Sequence, residues 1–384
     1  MPKGAKTLHS HYDFIVIGAG IAGASVAAEL ADDATVLLLE MEAQPGYHTT
    51  GRSAAMFAPG YGPRPIRALT RASSAFFHNP PAGFAEAPLL RPRDVVMIAR
   101  DDQHASLDAL HSALAEDSQV RLIDRAELRD RLPLLRDGYA DAAILDQTGS
   151  DIDVHALHQG YLRIVKARGG DLITGAEVTG ASSSGGAWTV STRAGEFKAR
   201  SLINAAGAWA DQLGKMAGAQ PIGLVPKRRT AMIIAAPKGV DVDAMPLAVD
   251  VDEEFYLKPD AGRLLISPAN EDPMDPCDAQ PDELDIAFCV DRIERAFDLS
   301  VRRIENRWAG LRSFVADKAP VAGYDPDLVG FFWLAGQGGY GIQSSPALSR
   351  AAAALALNRA IPDDILAQRL DPISLSPERL KVTA

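Results

Sequence analysis

The chain has 384 residues, 47% hydrophobic and 23% charged, enough for two packed domains and ordinary for a water-soluble globular protein. Its net charge of −11 argues against a nucleic-acid partner, because no basic stripe exists to neutralise phosphates. Two cysteines, Cys277 and Cys289, are too few for a disulfide framework, and no run approaches the ~18 apolar residues of a transmembrane segment, so a cytoplasmic location is expected.

Met1 to His11 carries two lysines and no apolar signal-peptide core, and residues 1–11 are expected to be a short flexible tail. Order begins at Phe14-Ile-Val-Ile17, which runs into Gly18-Ala19-Gly20-Ile21-Ala22-Gly23 and an Ala-rich helical stretch to Leu30. A second apolar run, Val36 to Leu39, ends in Glu40. Strand, glycine turn, helix, strand and acid in that order make a dinucleotide-binding βαβ unit. Gly18 permits the tight turn, Gly20 lets a pyrophosphate approach the backbone, and Gly23 lets helix and strand pack closely. The free N–H groups at the helix start, around Ile21 and Ala22, then face the phosphates. Glu40 lies 22 residues after Gly18, where a carboxylate can accept hydrogen bonds from an adenosine ribose. This unit alone leaves FAD and NAD open.

The loop Gln44 to Ala55 is dense in hydroxyls and glycine, and Thr49, Thr50, Arg52 and Ser53 can donate to phosphates. An irregular stretch holds Tyr61, helical spacing resumes from Ile66 to Phe77, and Pro80-Pro81 stops it. Ala105 to Leu135 is amphipathic and charged, which predicts two or three surface helices. Asp153 is placed to N-cap a helix running through Val165; His155 and His158, three apart on it, find no third metal ligand. Short strands are expected over Leu172–Val178, Trp188–Thr192 and Glu196–Ala199, around the loop-like Ser182 to Gly186. Leu202-Ile-Asn-Ala-Ala-Gly-Ala-Trp209 feeds an apolar strand into a second small-residue turn, where Ala206 and Gly207 let backbone pass close to something. Ala231–Ala235 and Glu254–Lys258 predict an antiparallel sheet, Ala269–Glu283 a loop and Leu284–Phe297 a helix. Finally Phe331 to Ala335, a buried strand, enters Gly336-Gln-Gly-Gly-Tyr-Gly341 and a long helix to about Asn358. The chain leaves the nucleotide domain and returns to it.

With GAGIAG, NAAGAW and GQGGYGIQ in that order, the chain resembles the D-amino-acid oxidase family of FAD-dependent oxidoreductases, to which glycine and sarcosine oxidases also belong. The likeness extends through QPGYHTTGRSAA, FFHNPPAGF, DIDVHALHQGYLR, PKRR, FYLKPDAG and WAGLRSFVAD, and within the family is strongest to bacterial D-arginine dehydrogenases. It implies an α/β fold: a Rossmann-like FAD-binding domain of the glutathione-reductase type (12–83, 156–213 and 330–378) and a substrate domain (84–155 and 214–329). The latter would hold a mostly antiparallel sheet flanked by helices. It further implies non-covalent FAD, with Gly18, Gly20, Ile21, Ala22, Gly23 and Glu40 holding the ADP half. Val178, Ala206, Gly207 and Trp209 would line the nucleotide, Thr50, Arg52 and Ser53 the pyrophosphate and flavin. Gly338, Gly339, Tyr340, Gly341 and Ile342 would lie beside the isoalloxazine, where a helix N-terminus favours the negative charge of reduced flavin.

By the same resemblance Arg229, Tyr256 and Arg312 would hold a substrate carboxylate, an arginine fork fixing it in a plane. Arg228 would exchange places with Arg229 on a one-residue strand shift. Tyr61 would complete the reacting site, with Met56, Val95, Gly310, Gly339 and Gln343 around the substrate. Here the chain departs from D-arginine dehydrogenases, whose pocket histidine and glutamate positions read Met56 and Val95, unless adjacent Asp94 supplies the acid. A buried cationic side chain would lack a counter-charge, so neutral or apolar D-amino acids are expected, oxidised to a 2-oxo acid and ammonia. Secondary amines or 2-hydroxy acids would use the same clamp. The electron acceptor stays open between a quinone, another carrier and O2, and no metal is expected.

Overall fold

A computed structural model describes residues 9–114 and 119–381; residues 1–8 of the expected tail lie outside the described part. Five strands of an eight-stranded sheet lie side by side and parallel. Their order is Phe331–Ala335, Gly195–Asn204, Tyr12–Ile17, Val36–Leu39 and Asp171–Ile173. The unbroken apolar runs of the first two βαβ strands suit a layer covered on both faces. Val16 and Leu38 feed a core shared with the helices Ile21–Leu30, Val154–Ala167 and Gly341–Ala356. Ile15, Ile17, Leu37 and Leu39 point the other way, into a core closed by Trp188 and Trp333. The N-terminal half of Gly195–Asn204 leaves this layer and pairs antiparallel with Ala187–Thr192, which pairs with Val178–Ser184.

A second, nine-stranded sheet is mostly antiparallel. Its long spine is Val225–Ala235 paired with Ile304–Phe314 across ten register positions, and it continues through Arg263–Ser267, Tyr256–Asp260 and Leu247–Asp250. Leu247–Asp250 pairs parallel with Val95–Ala99, and Ala142–Asp146 and Val120–Asp124 complete the sheet. Helix Glu283–Ala296, capped by Asp282 and placed where helical spacing puts it, packs Ile286, Cys289 and Ile293 onto it. Val321–Tyr324 returns to the first sheet by pairing with Phe331–Ala335.

Two stretches differ from their sequence pattern. Ala105–Leu135 holds helices His104–Ala113 and Arg125–Arg131, but Val120–Asp124 between them is an edge strand. Only Val120 and Ile123 of that strand are buried, and their three-residue spacing imitates a helix. Ser182–Ser184 is not loop but the exposed end of Val178–Ser184; the turn is made by Gly185 and Gly186, both at positive φ. Both cysteines are free, Cys289 buried and Cys277 exposed. Among the described residues no helix is long and apolar enough to cross a membrane.

Candidate active site

Four parallel strands deliver their C-terminal ends to one crevice: Gly18 follows Ile17, Glu40 follows Leu39, Ala205 follows Asn204, and Gly336 follows Ala335. Ligands bind in such crevices of open α/β sheets. Gly18 has φ +98° and a Cβ there would stand 2.4 Å from the Ala205 carbonyl oxygen, so no other residue makes this turn without strain. Ala19 is clamped from both sides: its N–H donates to Glu40 Oε2 at 2.9 Å, and His158 Nε2 donates to its carbonyl at 2.8 Å. Burial holds the His158 imidazole below its usual value and therefore neutral, a structural clamp on the turn rather than half of a metal pair. Burial raises the Glu40 carboxyl, while the Glu42 and Ala19 N–H groups bonded to it pull the other way. Thr50 Oγ1 accepts the Ile21 N–H at 2.9 Å, tying the hydroxyl-rich loop to the helix start.

Two compartments of about 250 and 130 Å³ join along this crevice, sharing Gly20, Thr49, Thr50, Ala205, Gly207 and Ala208. The first is walled by Glu40, Val178, Ala206 and Trp209, and the second by Ile21, Ala22, Arg52, Ser53, Gly338, Gly339, Gly341 and Ile342. Two buried polar atoms of the second, Gln337 Nε2 and Ser313 Oγ, have no partner among the described residues. A narrow two-part crevice with orphaned donors and a helix N-terminus fits an extended dinucleotide. Gly23 lines neither compartment and sits where helix and strand pack, a Cβ there standing 1.8 Å from the Gly18 carbonyl oxygen. Arg52, besides lining the second compartment, donates from its guanidinium to the Ala279 and Ala309 carbonyls and to Asp278, clasping the loop to the second sheet. Tyr340 turns away to a third cavity, its ring 5.2 Å from that of Tyr61.

That third cavity, about 430 Å³, adjoins the second compartment through Ser53, Ala54, Arg229, Tyr256, Arg312 and Gly339. The register Arg229 opposite Gly310 and Lys227 opposite Arg312 puts Arg229 and Arg312 on one face of the long strand pair, diagonal to one another. Arg228 points to the other face and donates to Asp285 at 2.8 Å, so of the two neighbours it is Arg229 that lines the cavity. Arg229 Nε donates to the Asn270 carbonyl at 2.8 Å. Arg312 has no hydrogen-bond or ion-pair partner among the described residues. Burial and the neighbouring Arg312 charge depress the Arg229 guanidinium. Burial works against the Arg312 charge too, but Tyr256, Tyr61 and Glu253 around it leave it raised overall. Buried Arg229 and half-buried Arg312 are like charges facing one space, which calls for an anion. Gly339 lets them sit there, since a Cβ on it would stand 2.8 Å from Arg312 Nη1. Gly339→Ala is therefore expected to displace the guanidinium and raise KM about tenfold to a hundredfold with flavin content unchanged, read by steady-state kinetics and absorbance.

Met56, Val95 and Gln343 also line this cavity, whereas Gly310 faces the second compartment. Asp94 does not line it: its carboxylate accepts from Arg131 at 2.8 Å. Met97, Leu110, Leu247 and Val249 extend the apolar wall. Sequence reading missed these, and it missed Glu253, whose carboxylate is the nearest acid to Tyr61 and Tyr340 in electrostatic effect. Glu253 stands at φ +57°, and no local motif announces it.

The two-part crevice at the strand ends opens on a cavity that holds two arginines. The family model described as FAD dependent oxidoreductase (DAO) matches residues 13–355. The chain belongs to this family and uses FAD. It is 30% identical to an L-2-hydroxyglutarate dehydrogenase of Escherichia coli over 55% of this chain and 51% of that protein, so it spans about half the length of that relative. Its fold is similar to glycine oxidase from Geobacillus kaustophilus, with a TM-score of 0.80 and 21% identity, covering 91% of this chain and 96% of that one. L-amino acid deaminase from Proteus vulgaris gives a TM-score of 0.78 and 17% identity, covering 99% and 96%. None of these relatives is a D-arginine dehydrogenase.

Proposed function

We propose that the protein catalyses the FAD-dependent oxidative deamination of D-amino acids with neutral or apolar side chains. The observation that carries this reading is the Arg229–Arg312 pair facing a cavity whose wall includes Met56, Val95, Met97, Leu110, Leu247 and Val249. The pair, with Tyr256, holds the carboxylate, and the apolar wall takes the side chain, Met56 and Met97 adapting to its shape. FAD, when bound, would supply the two-electron acceptor for the hydride of the substrate Cα. The amine binds neutral, the nitrogen loses a proton as the C=N bond forms, and the imino acid adds water and releases ammonia. Orientation and charge are the protein's share. The division into an FAD-binding part (12–83, 156–213, 330–378) and a substrate-binding part (84–155, 214–329) belongs to this reading. So do the D configuration, supported by the sequence resemblance, and an acceptor that is a quinone, another carrier or O2.

A second reading, a 2-hydroxy acid, is favoured by Arg67 and Lys318 in the same cavity wall, which could meet a second carboxylate, and by the name of the Escherichia coli relative. Anaerobic titration of the holoenzyme with D-leucine, D-methionine, D-arginine, their L-enantiomers and 2-hydroxyglutarate separates the two. Loss of the flavin band with apolar D-isomers alone is the expected result; bleaching by the hydroxy acid alone would replace the deaminase by the second reading.

The pH profile separates them again. Burial first, then the Glu253 charge, raises both cavity phenols, Tyr340 to about 12. A raised phenol keeps its O–H until the pH climbs through that higher value, so both remain neutral donors across the working range. The kcat/KM of an amino acid should then rise in a single limb as the substrate amine loses its proton, and that of a 2-hydroxy acid should lack the limb. A falling limb below about pH 10 that Tyr61→Phe or Tyr340→Phe abolished would contradict this assignment.

A further inference from the structure

Lys258 lies two residues beyond Tyr256 on strand Tyr256–Asp260, and both line the substrate cavity. Residues two apart share one face of a strand and stand about 7 Å from each other along it. A strand lysine is ordinarily solvated, yet Lys258 is buried; among the described residues it and Arg229 are the buried cations of this cavity wall. Its Nζ stands 2.7 Å from Asp151 Oδ1. Asp151 lies opposite Met56 in the three-stranded sheet, so the lysine spans from the second sheet to the strand beside Met56, another wall residue. That carboxylate is already shared, because Arg93 Nε donates to its other oxygen at 2.6 Å. Among the described residues no further acid pairs with either cation, so two positive charges meet one negative charge. Arg93 spends Nη1 on the Asp243 and Met245 carbonyls and does not line the cavity, which leaves Lys258 to present the spare charge there. Asp146, Asp250 and Glu253 line the same cavity, but none of them forms an ion pair with Lys258. An ammonium has three donors, and one carboxylate oxygen occupies at most one of them.

We propose that Lys258 determines side-chain specificity, donating to a carboxylate or carboxamide oxygen at the far end of the substrate. Small acids with a second oxygen acceptor are then preferred over apolar acids of the same shape. The inference rests on the Arg229–Arg312 pair holding the first carboxylate, and it extends the proposed substrate range to oxygen-tipped side chains. A hydrogen bond to a charged donor is stronger than one between neutral groups, and burial of the donor strengthens it further. The same charge repels an ammonium or guanidinium, which sets cationic side chains apart from both groups.

Calorimetric titration of the holoenzyme with glutarate and with 5-methylhexanoate tests this. Two methyl groups of the second acid replace the oxygens of one glutarate carboxylate, and neither acid has an amine or hydroxyl to oxidise, so binding is read without turnover. Glutarate is expected to bind about tenfold or more tightly, and Lys258→Met to bring the two acids within about threefold. The neutral acceptor 4-carbamoylbutanoate should fall between them. Lys258→Met leaves Asp151 with Arg93, so no buried carboxylate is stranded. Should that variant lose its flavin band, Lys258→Arg, which keeps the charge, is expected to keep the preference, and its loss there would count against the proposal. Equal binding of both acids by the wild type, or a preference that survives Lys258→Met, overturns it. So does a preference lost in Lys318→Gln instead, which would give the second carboxylate to an exposed cation of the wall. Arg312→Met should weaken both acids alike. If it weakened neither, the clamp reading would fall and this proposal with it, whereas loss of the ratio alone leaves the clamp standing.

Discussion

Arg312→Met is expected to lower kcat/KM by about 10²–10⁴-fold, equivalent to about 3–5 kcal/mol, while the protein stays yellow. The size follows from what surrounds the side chain. Arg312 meets no acceptor among the described residues, so a substrate carboxylate would take up its hydrogen-bonding capacity. Methionine keeps much of its length and removes the charge. A substrate carboxylate would then keep only Arg229 of the pair, and Arg229 already donates to Asn270 and lies 3.5 Å from Glu271. Truncating one partner of a buried charge pair carries the cost of stranding the other. FAD content should hold, because Arg312 reaches the second compartment only at its substrate end. Anaerobic stopped-flow reduction gives both the rate at saturation and the apparent Kd. A loss confined to Kd would mean that the clamp binds substrate and transition state equally; a loss below tenfold would remove Arg312 from the clamp.

The nucleotide crevice was legible because its chemistry is local. Gly18, Gly20, Gly23 and Glu40 lie within one βαβ unit, and the two later strands that meet it end in small-residue turns of their own, at Ala205 and Gly336. The second sheet was legible as texture but not as arrangement. That Arg229 rather than Arg228 faces the cavity depends on the pairing of Val225–Ala235 with Ile304–Phe314, a contact between segments far apart in the chain. The apolar wall of Met97, Leu110, Leu247 and Val249 is assembled from three separate elements, and alternation alone marks each residue only as buried. Glu253 was hidden for a different reason. It sits in Val251-Asp-Glu-Glu254, an acidic turn that reads as solvated, and only its positive φ aims it inward. Asp94, equally acidic and next to the expected position, is spent on Arg131. Sequence spacing cannot tell those two fates apart.

The sharpest test of the nucleotide crevice lies at a residue that touches neither compartment. Gly23→Ala is expected to yield largely colourless protein. A Cβ at this position would stand 1.8 Å from the Gly18 carbonyl oxygen and 3.3 Å from Val16 Cγ1. Gly18 has little room to retreat, because the position a Cβ on it would take lies only 2.4 Å from the Ala205 carbonyl oxygen and its backbone stands at φ +98°. Ala19 is held by Glu40 and His158, which closes the remaining direction. The helix Ile21–Leu30 must therefore move outward, carrying its first-turn N–H groups away from the phosphates. Overpacking of this kind costs about 1–3 kcal/mol in folding stability. Loss of aligned donors to a doubly charged group adds a fall in FAD affinity of about 100-fold or more. Glu40→Gln makes the useful contrast: it preserves an oxygen acceptor for one of the two N–H groups and adds no bulk, so a fall of about tenfold is expected. The flavin-to-protein absorbance ratio reports occupancy, and Tm against added FAD reports affinity, since a ligand bound only by the folded state raises Tm with its concentration. Gly23→Ala protein that kept a wild-type flavin ratio without added FAD would show that the turn yields where its contacts say it cannot.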